Sequence, residues 1–225
     1  MSVETVGQNR KRAEKIIEIL RRTYPDARVT LDYSTPFELL VAAILAAQCT
    51  DEKVNQITPA LFRRYPSPQA FGEADQVELQ AMVRPTGFFR QKARSIIEVA
   101  QDVVGRFGGE VPNSLEELTE LRGVGRKTAN LILGEVFGKQ AIVVDTHVRR
   151  VTARLGLTDK KDPTKIEFDL MEVLPEEYWT EFNHLIIFHG RAICKAPTPL
   201  CERCPVLELC PFGRERMRLG PLPAQ

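Results

Sequence analysis

Apolar residues recur along this chain at helical rather than strand spacing. Ala13, Ile16, Ile17 and Leu20 mark one face of a helix over 9–23. The run 39–47 is apolar on every side, and Thr35-Pro36-Phe37-Glu38 opens it with a capping box and proline at the first helical position. Thr50 or Asp51 can cap a helix reaching about residue 65. Ser67-Pro68, Asp75-x-x-Glu78 and Ser114-x-x-Glu117 each open a short helix. A longer helix spans 90–107 and is stopped by Gly108-Gly109. Further helices are expected over 126–137, from Asp145 to Leu155, after Asp162-Pro163, and over 177–192. Ala141-Ile142-Val143-Val144 is β-branched, but no second strand candidate exists to pair with it. It reads as a buried extended connector. The tail after Pro211 is expected to fray. The fold class is therefore all-α, with about ten helices.

Composition narrows the function classes. The 225 residues suggest one large or two small domains. Hydrophobic residues make up 43%, which excludes intrinsic disorder. Lys and Arg number 31 against 30 Asp and Glu, a net charge of +1, so a globally basic DNA coat is excluded while a local basic face is not. The longest apolar run has nine residues, too short to span a membrane. No apolar core follows the charges of the N-terminal segment, so a cytoplasmic protein is expected.

The most informative segment is Leu118 to Asn130. Its pattern is a short helix, the tight turn Gly123-Val124-Gly125, then a second helix. Such a helix-hairpin-helix lets backbone amides of the turn and of the next helix's first turn approach a phosphate. An ordinary helix–helix connection would look similar, but charge favours the phosphate reading. Residues 119–154 hold seven Lys/Arg against three Asp/Glu, a local +4. His147, Arg150 and Arg154 share one face of the helix after Asp145, opposite Val148, Val151, Thr152 and Leu155. This looks like a surface held against a nucleic-acid backbone.

Two residues are candidates for chemistry. Lys127 lies about 150° from the centre of the stripe Ala129, Ile132, Leu133, Val136 and Phe137 at 100° per residue. It sits in a first helical turn, where the helix dipole disfavours another positive charge. A neutral amine is a nucleophile that can form a Schiff base with a carbonyl carbon; a phosphate contact is the plainer role. Asp145 follows an apolar segment and precedes a helix. It can serve as an N-cap, or stabilise a developing cation.

Four of the five cysteines fall at Cys194, Cys201, Cys204 and Cys210, spaced C-x6-C-x2-C-x5-C. Four thiolates in so short a span bind zinc or an iron–sulfur cluster. The single C-x2-C favours the cluster, because structural zinc usually shows two such knuckles. Arginines and lysines surround the site, among them Arg191, Lys195 and Arg203. Cys49 ends an apolar helix and reads as a buried structural thiol.

Taken together these motifs resemble the endonuclease III family of DNA glycosylases and abasic-site lyases. The resemblance rests on Leu121-x-Gly123-Val124-Gly125-Arg126-Lys127-Thr128-Ala129, on Val144-Asp145-Thr146-His147-Val148, and on the cysteine spacing. Ala47-Gln48-x-Thr50-Asp51, Gly87-Phe88-Phe89-x-x-Lys92-Ala93 and His189-Gly190 extend it over about residues 10–212. It implies a six-helix domain over 29–140 and a discontinuous domain from 1–28 and 141–225 holding a 4Fe-4S cluster, with DNA in the cleft between them. It implies a bifunctional base-excision enzyme acting on oxidised pyrimidines in double-stranded DNA, as a monomer and associated with the nucleoid. Lys127 would be the Schiff-base nucleophile, Asp145 the catalytic carboxylate and the four cysteines the cluster ligands. Gly123, Val124, Gly125, Arg126, Thr128 and Arg150 would contact DNA. Gln48 and Phe88 would fill the gap left by a flipped base. Asp51 and His147 would line the base pocket.

The chain departs from the pattern in places. Arg122 stands where proline is usual, Phe88 where an aliphatic residue is common, and Ala46 where serine is usual. A monofunctional glycosylase of the same fold would lack the lysine at position 127. A non-catalytic DNA-binding module would need neither Lys127 nor Asp145.

Overall fold

A computed structural model describes residues 6–218. Among these residues there is no strand: twelve α-helices and four 3-10 turns carry the fold. In chain order the helices are α1 (Val6–Thr23), α2 (Pro36–Ala46), α3 (Asp51–Arg64), α4 (Pro68–Gly72), α5 (Gln76–Val83) and α6 (Phe89–Phe107). They continue with α7 (Leu115–Glu120), α8 (Arg126–Phe137), α9 (Thr146–Arg154), α10 (Pro163–Val173), α11 (Trp179–Ala192) and α12 (Pro211–Arg216). None of them is long and apolar enough to cross a membrane.

Side-chain caps decide most of the starts. Thr35, Thr50, Ser67, Asp75, Ser114 and Asp162 each accept a hydrogen bond from the backbone N–H three residues on. Of the two candidates at α3, Thr50 is therefore the cap, and Asp51 is the first helical residue. Gly108 and Gly138, both with φ of 63°, end α6 and α8. The segment after Pro211 departs from the expectation of a frayed tail. The Cys210 sulfur accepts from the Gly213 N–H and Pro211 occupies the first turn, so α12 forms. A sulfur cap is not in the usual Ser/Thr/Asp/Asn vocabulary.

The chain divides into two compact units: Thr30–Lys139, and the flanking Met1–Val29 with Gln140–Gln225. In the first, α2 buries Phe37, Leu39, Leu40, Val41, Ala42, Ile44 and Leu45, because α3, α6 and α8 surround it. This is why its sequence is apolar all round rather than striped. Fully buried Leu40 and Phe71 anchor this core, and truncating either to alanine would cost ~2–5 kcal/mol.

In the second unit α1 lays Ala13, Ile16, Ile17 and Leu20 against a core that includes Val151 of α9, Leu170 of α10 and Phe182 of α11. Arg12 is 0% exposed. Its guanidinium donates to the carbonyls of Leu155 (2.6 Å), Gly156 (3.2 Å) and Leu209 (3.1 Å). It thereby neutralises the C-terminal end of α9 and ties it to the loop ahead of α12.

Candidate active-site residues and cysteine centre

The hairpin lies within the Thr30–Lys139 unit. Gly123 has φ of +77°, and a Cβ there would stand 3.0 Å from the Ser95 hydroxyl. Only glycine meets both demands. Val124 is 4% exposed and its N–H already donates to the Leu121 carbonyl at 3.1 Å. Its side chain thus pins the turn to the core, and the phosphate contact expected of its amide does not follow from this geometry. Gly125 is the N-cap of α8 and brings no side-chain cap, unlike α2, α3, α5, α7, α9 and α10. The first backbone bond inside α8 runs from the Ala129 N–H to the Gly125 carbonyl. A helix start of this kind, with no side-chain cap, suits an anion. Lys127 is the second helical residue and is exposed; Arg126 and Thr128 beside it are half-buried.

Arg122, the departure from proline, is held by an ion pair. Its Nε lies 2.8 Å from Glu98 of α6, which also takes Arg94 at 2.7 Å. The Arg94 hydrogen bond, aided by the charge of Arg122, holds the Glu98 carboxyl below its ordinary value. A side-chain pair thus joins the turn to α6.

Two other exposed residues of this unit share an uncommon backbone. Gln48 has φ of 53° and Phe88 φ of 47°, both left-handed and neither glycine. Phe88 is 62% exposed. Asp51 is half-buried and its carboxylate accepts from the Thr30 hydroxyl.

In the flanking unit, Asp145 caps α9. Its Oδ1 accepts from the Val148 N–H at 2.7 Å, and the residue is half-buried. The connector before it forms neither helix nor strand, and its Ala141, Ile142 and Val143 are buried. Asn183 of α11, 3% exposed, takes the place of the missing strand partner. It accepts from the Val143 N–H at 3.0 Å and donates to the Ala141 carbonyl at 2.9 Å. Asn183 is invisible to local pattern, because its partners lie 40 residues away.

Arg150, the residue expected to contact DNA, is half-buried and hydrogen-bonded within its own unit. Its donors go to the Cys194 carbonyl (3.1 Å), the Gly190 carbonyl (3.1 Å) and the neighbourhood of His147 Nδ1 (3.1 Å). Two of its donors are thus held by carbonyls at the end of α11. Arg154 is similarly engaged, with the Lys195 carbonyl at 2.8 Å and the Phe212 ring beneath its guanidinium at 4.9 Å. His147 packs against Gly190, where a Cβ would lie 2.9 Å from its Nδ1. The glycine of His189-Gly190 is thus a close-approach residue.

Cys194, Cys201, Cys204 and Cys210 line one small cavity of about 20 Å³, part of it open to solvent. The sulfurs surround this space instead of closing on a point, and no set of three or more His, Cys, Asp or Glu among the described residues is arranged to hold a single ion. Burial pushes the Cys204 thiol up to about 12 and raises Cys201 and Cys210. Buried thiolates would therefore need positive charge beside them. Donors already point at the sulfurs: the Gly213 N–H at Cys210 (3.3 Å) and the Arg154 guanidinium at Cys194 (3.4 Å). His189, pushed down to about 4 by burial, places Nε2 3.7 Å from the Cys204 sulfur. Four sulfurs around a cavity, with N–H donors behind them, fit a polynuclear iron–sulfur group. Cys49 lies outside this set, in the other unit.

Comparison with known proteins agrees with these features. Residues 41–176 match the family model of the HhH-GPD superfamily base excision DNA repair protein. The chain is 50% identical over 210 residues to endonuclease III of a Synechocystis species, covering 93% of this chain and 96% of the relative. It is 42% identical over 213 residues to endonuclease III of Bacillus subtilis, covering 94% and 97%. Among solved structures it resembles a trapped endonuclease III–DNA covalent intermediate, with TM-score 0.88 and 41% identity over 93% of this chain and 99% of that one. A thermostable thymine-DNA glycosylase matches with TM-score 0.81 and 25% identity, covering 92% and 98%.

Proposed function

The chain belongs to the HhH-GPD superfamily of base excision DNA repair proteins and, within it, to the endonuclease III family of DNA glycosylases and abasic-site lyases, and on that premise we propose that it removes oxidised pyrimidines from double-stranded DNA and cuts the resulting abasic site through a Schiff base on Lys127. The observation that carries this reading is the exposed Lys127 amine in the uncapped first turn of α8, directly after the Gly-Val-Gly turn. A phosphate backbone on the amides of Gly125, Arg126 and Thr128 would bring a sugar to that amine. Gly123 and Val124 support the contact by shaping the turn.

The chemistry follows from a lysine nucleophile. The Lys127 amine attacks C1′ of the lesion nucleotide, and the pyrimidine leaves with the bonding electron pair and takes up a proton. The Asp145 carboxylate stabilises the positive charge developing on the sugar. Ring opening leaves an imine between Nζ and C1′. The imine acidifies the C2′ proton; its loss expels the 3′ phosphate with the C3′–O electron pair. Hydrolysis of the imine restores the amine. A water nucleophile in place of lysine would stop at base release.

Gln48 and Phe88 are the residues we assign to the space left by the flipped nucleotide, with Asp51 and His147 as pocket residues. Cys194, Cys201, Cys204 and Cys210 would hold a 4Fe-4S cluster. When bound, it supplies four iron–sulfur links that fix the loops around it. The two compact units are read as a hairpin-bearing domain, which holds seven α-helices (α2 to α8) rather than the expected six, and a cluster domain, and the enzyme as a cytoplasmic, nucleoid-associated monomer.

The test is base release and strand cutting on a duplex with a single thymine glycol. Asp145→Asn should lower base release by roughly 10²–10⁴-fold. Unchanged release by this variant would remove Asp145 from the chemistry. Cutting of an abasic duplex with no release of thymine glycol would overturn the oxidised-pyrimidine assignment.

A further inference from the structure

Lys92 lies in the first turn of α6 and is only 5% exposed. Lysine is seldom buried without a carboxylate. Here its ammonium meets two backbone carbonyls, Leu45 and Thr86, each at 2.8 Å. Leu45 is in the last turn of α2, three residues before Gln48. Thr86 closes the 3-10 turn Arg84–Thr86, two residues before Phe88. Thr86 is itself buried, and its hydroxyl donates to the Val83 carbonyl at 2.8 Å. One ammonium thus joins the roots of the two segments that carry the exposed left-handed residues, Gln48 at φ 53° and Phe88 at φ 47°.

We propose that Lys92 is a positioning residue that holds Gln48 and Phe88 as one pre-formed pair for insertion into duplex DNA, a role that rests on the assignment of those two side chains to the gap left by the flipped base. The physical argument has three parts. Left-handed backbone at non-glycine residues persists only where the surroundings over-determine it. The carbonyl at the end of α2 has no helical partner further on, and a cation is a favourable cap for it. A charged donor gives stronger bonds to both carbonyls than a neutral one. Burial lowers the basicity of Lys92 while the neighbouring Cys49 opposes that shift, so the charge is held there at a desolvation cost that a purely apolar side chain would avoid.

The test compares two substrates in the cluster-loaded full chain: an abasic site in a duplex, where the gap must be filled, and one in a single strand, where there is no gap. Lys92→Met keeps the apolar stem and removes the donors. It should lower duplex cutting on the order of 10- to 100-fold while single-strand cutting stays within about twofold. Lys92→Arg, which restores donors, should recover part of the duplex loss. Gln48→Ala and Phe88→Ala are the controls, and each should also lower duplex cutting selectively. If the controls leave both substrates unaffected, the insertion reading itself fails, and the proposal with it. If the controls lower duplex cutting and Lys92→Met does not, the positioning role alone is overturned. An equal loss on both substrates, or failure of both Lys92→Met and Lys92→Gln to fold, makes Lys92 a residue of general stability and also overturns it.

Discussion

Gly123 of the hairpin turn rests against Ser95 of α6, with room for no side chain: a Cβ would lie 3.0 Å from the serine hydroxyl, at a φ of +77°. Gly123→Ala therefore meets a backbone penalty and a steric one, together about 1–3 kcal/mol. Ser95→Ala in the same background should return only the part of the steric share owed to the hydroxyl, because the Ser95 Cβ stays 3.1 Å away. Urea unfolding of the two single variants and the double variant measures this, and the shortfall from additivity is the contact.

Arg122 replaces the rigidity of a proline with an ion pair to Glu98. Arg122 is exposed and Glu98 half-buried, so the pair is expected to act on binding more than on stability. Glu98→Gln frees Arg122 and Arg94 for phosphate. DNA affinity should rise at low salt, and the slope of log K against log salt should steepen by roughly 0.9 for each new phosphate contact. Anisotropy titrations across a salt series check this; an unchanged slope would show that Arg122 stays off the DNA.

The cysteine centre makes a selective prediction. Alanine at Cys194, Cys201, Cys204 or Cys210 should lose bound iron and acid-labile sulfide and lower the melting temperature, while Cys49→Ala should keep both. Removing iron from the native protein by a chelator should lower the melting temperature in the same way, because a group bound only by the folded state stabilises it by mass action. Elemental analysis beside a thermal melt decides it. Four sulfurs and zinc in place of iron would overturn the cluster assignment.

Most of the helices were legible because their caps are local. Thr35, Ser67, Asp75, Ser114, Asp145 and Asp162 lie within three residues of the amides they serve. The hairpin turn was legible for the same reason. Long-range polar packing was not. The bonds from Arg150 to the carbonyls of Gly190 and Cys194, at least 40 residues away, leave no trace in the local pattern. Arg12 flanks the apolar stripe of α1, four residues before Ile16, yet the carbonyls that hold its buried guanidinium lie more than 140 residues away. Asn183 shows no local signal, although it supplies hydrogen bonds to the Val143 N–H and the Ala141 carbonyl, in a segment without a strand partner. α12 was missed because a cysteine, not a hydroxyl or carboxylate, caps it.

The central claim is a covalent bond between Lys127 and the sugar. Borohydride reduction during reaction with a duplex containing one thymine glycol tests it most directly, with Lys127→Ala alongside. The account predicts a stable protein–DNA adduct from the native chain and none from the variant. Base release without any adduct from the native chain, or an adduct that survives Lys127→Ala, would contradict it.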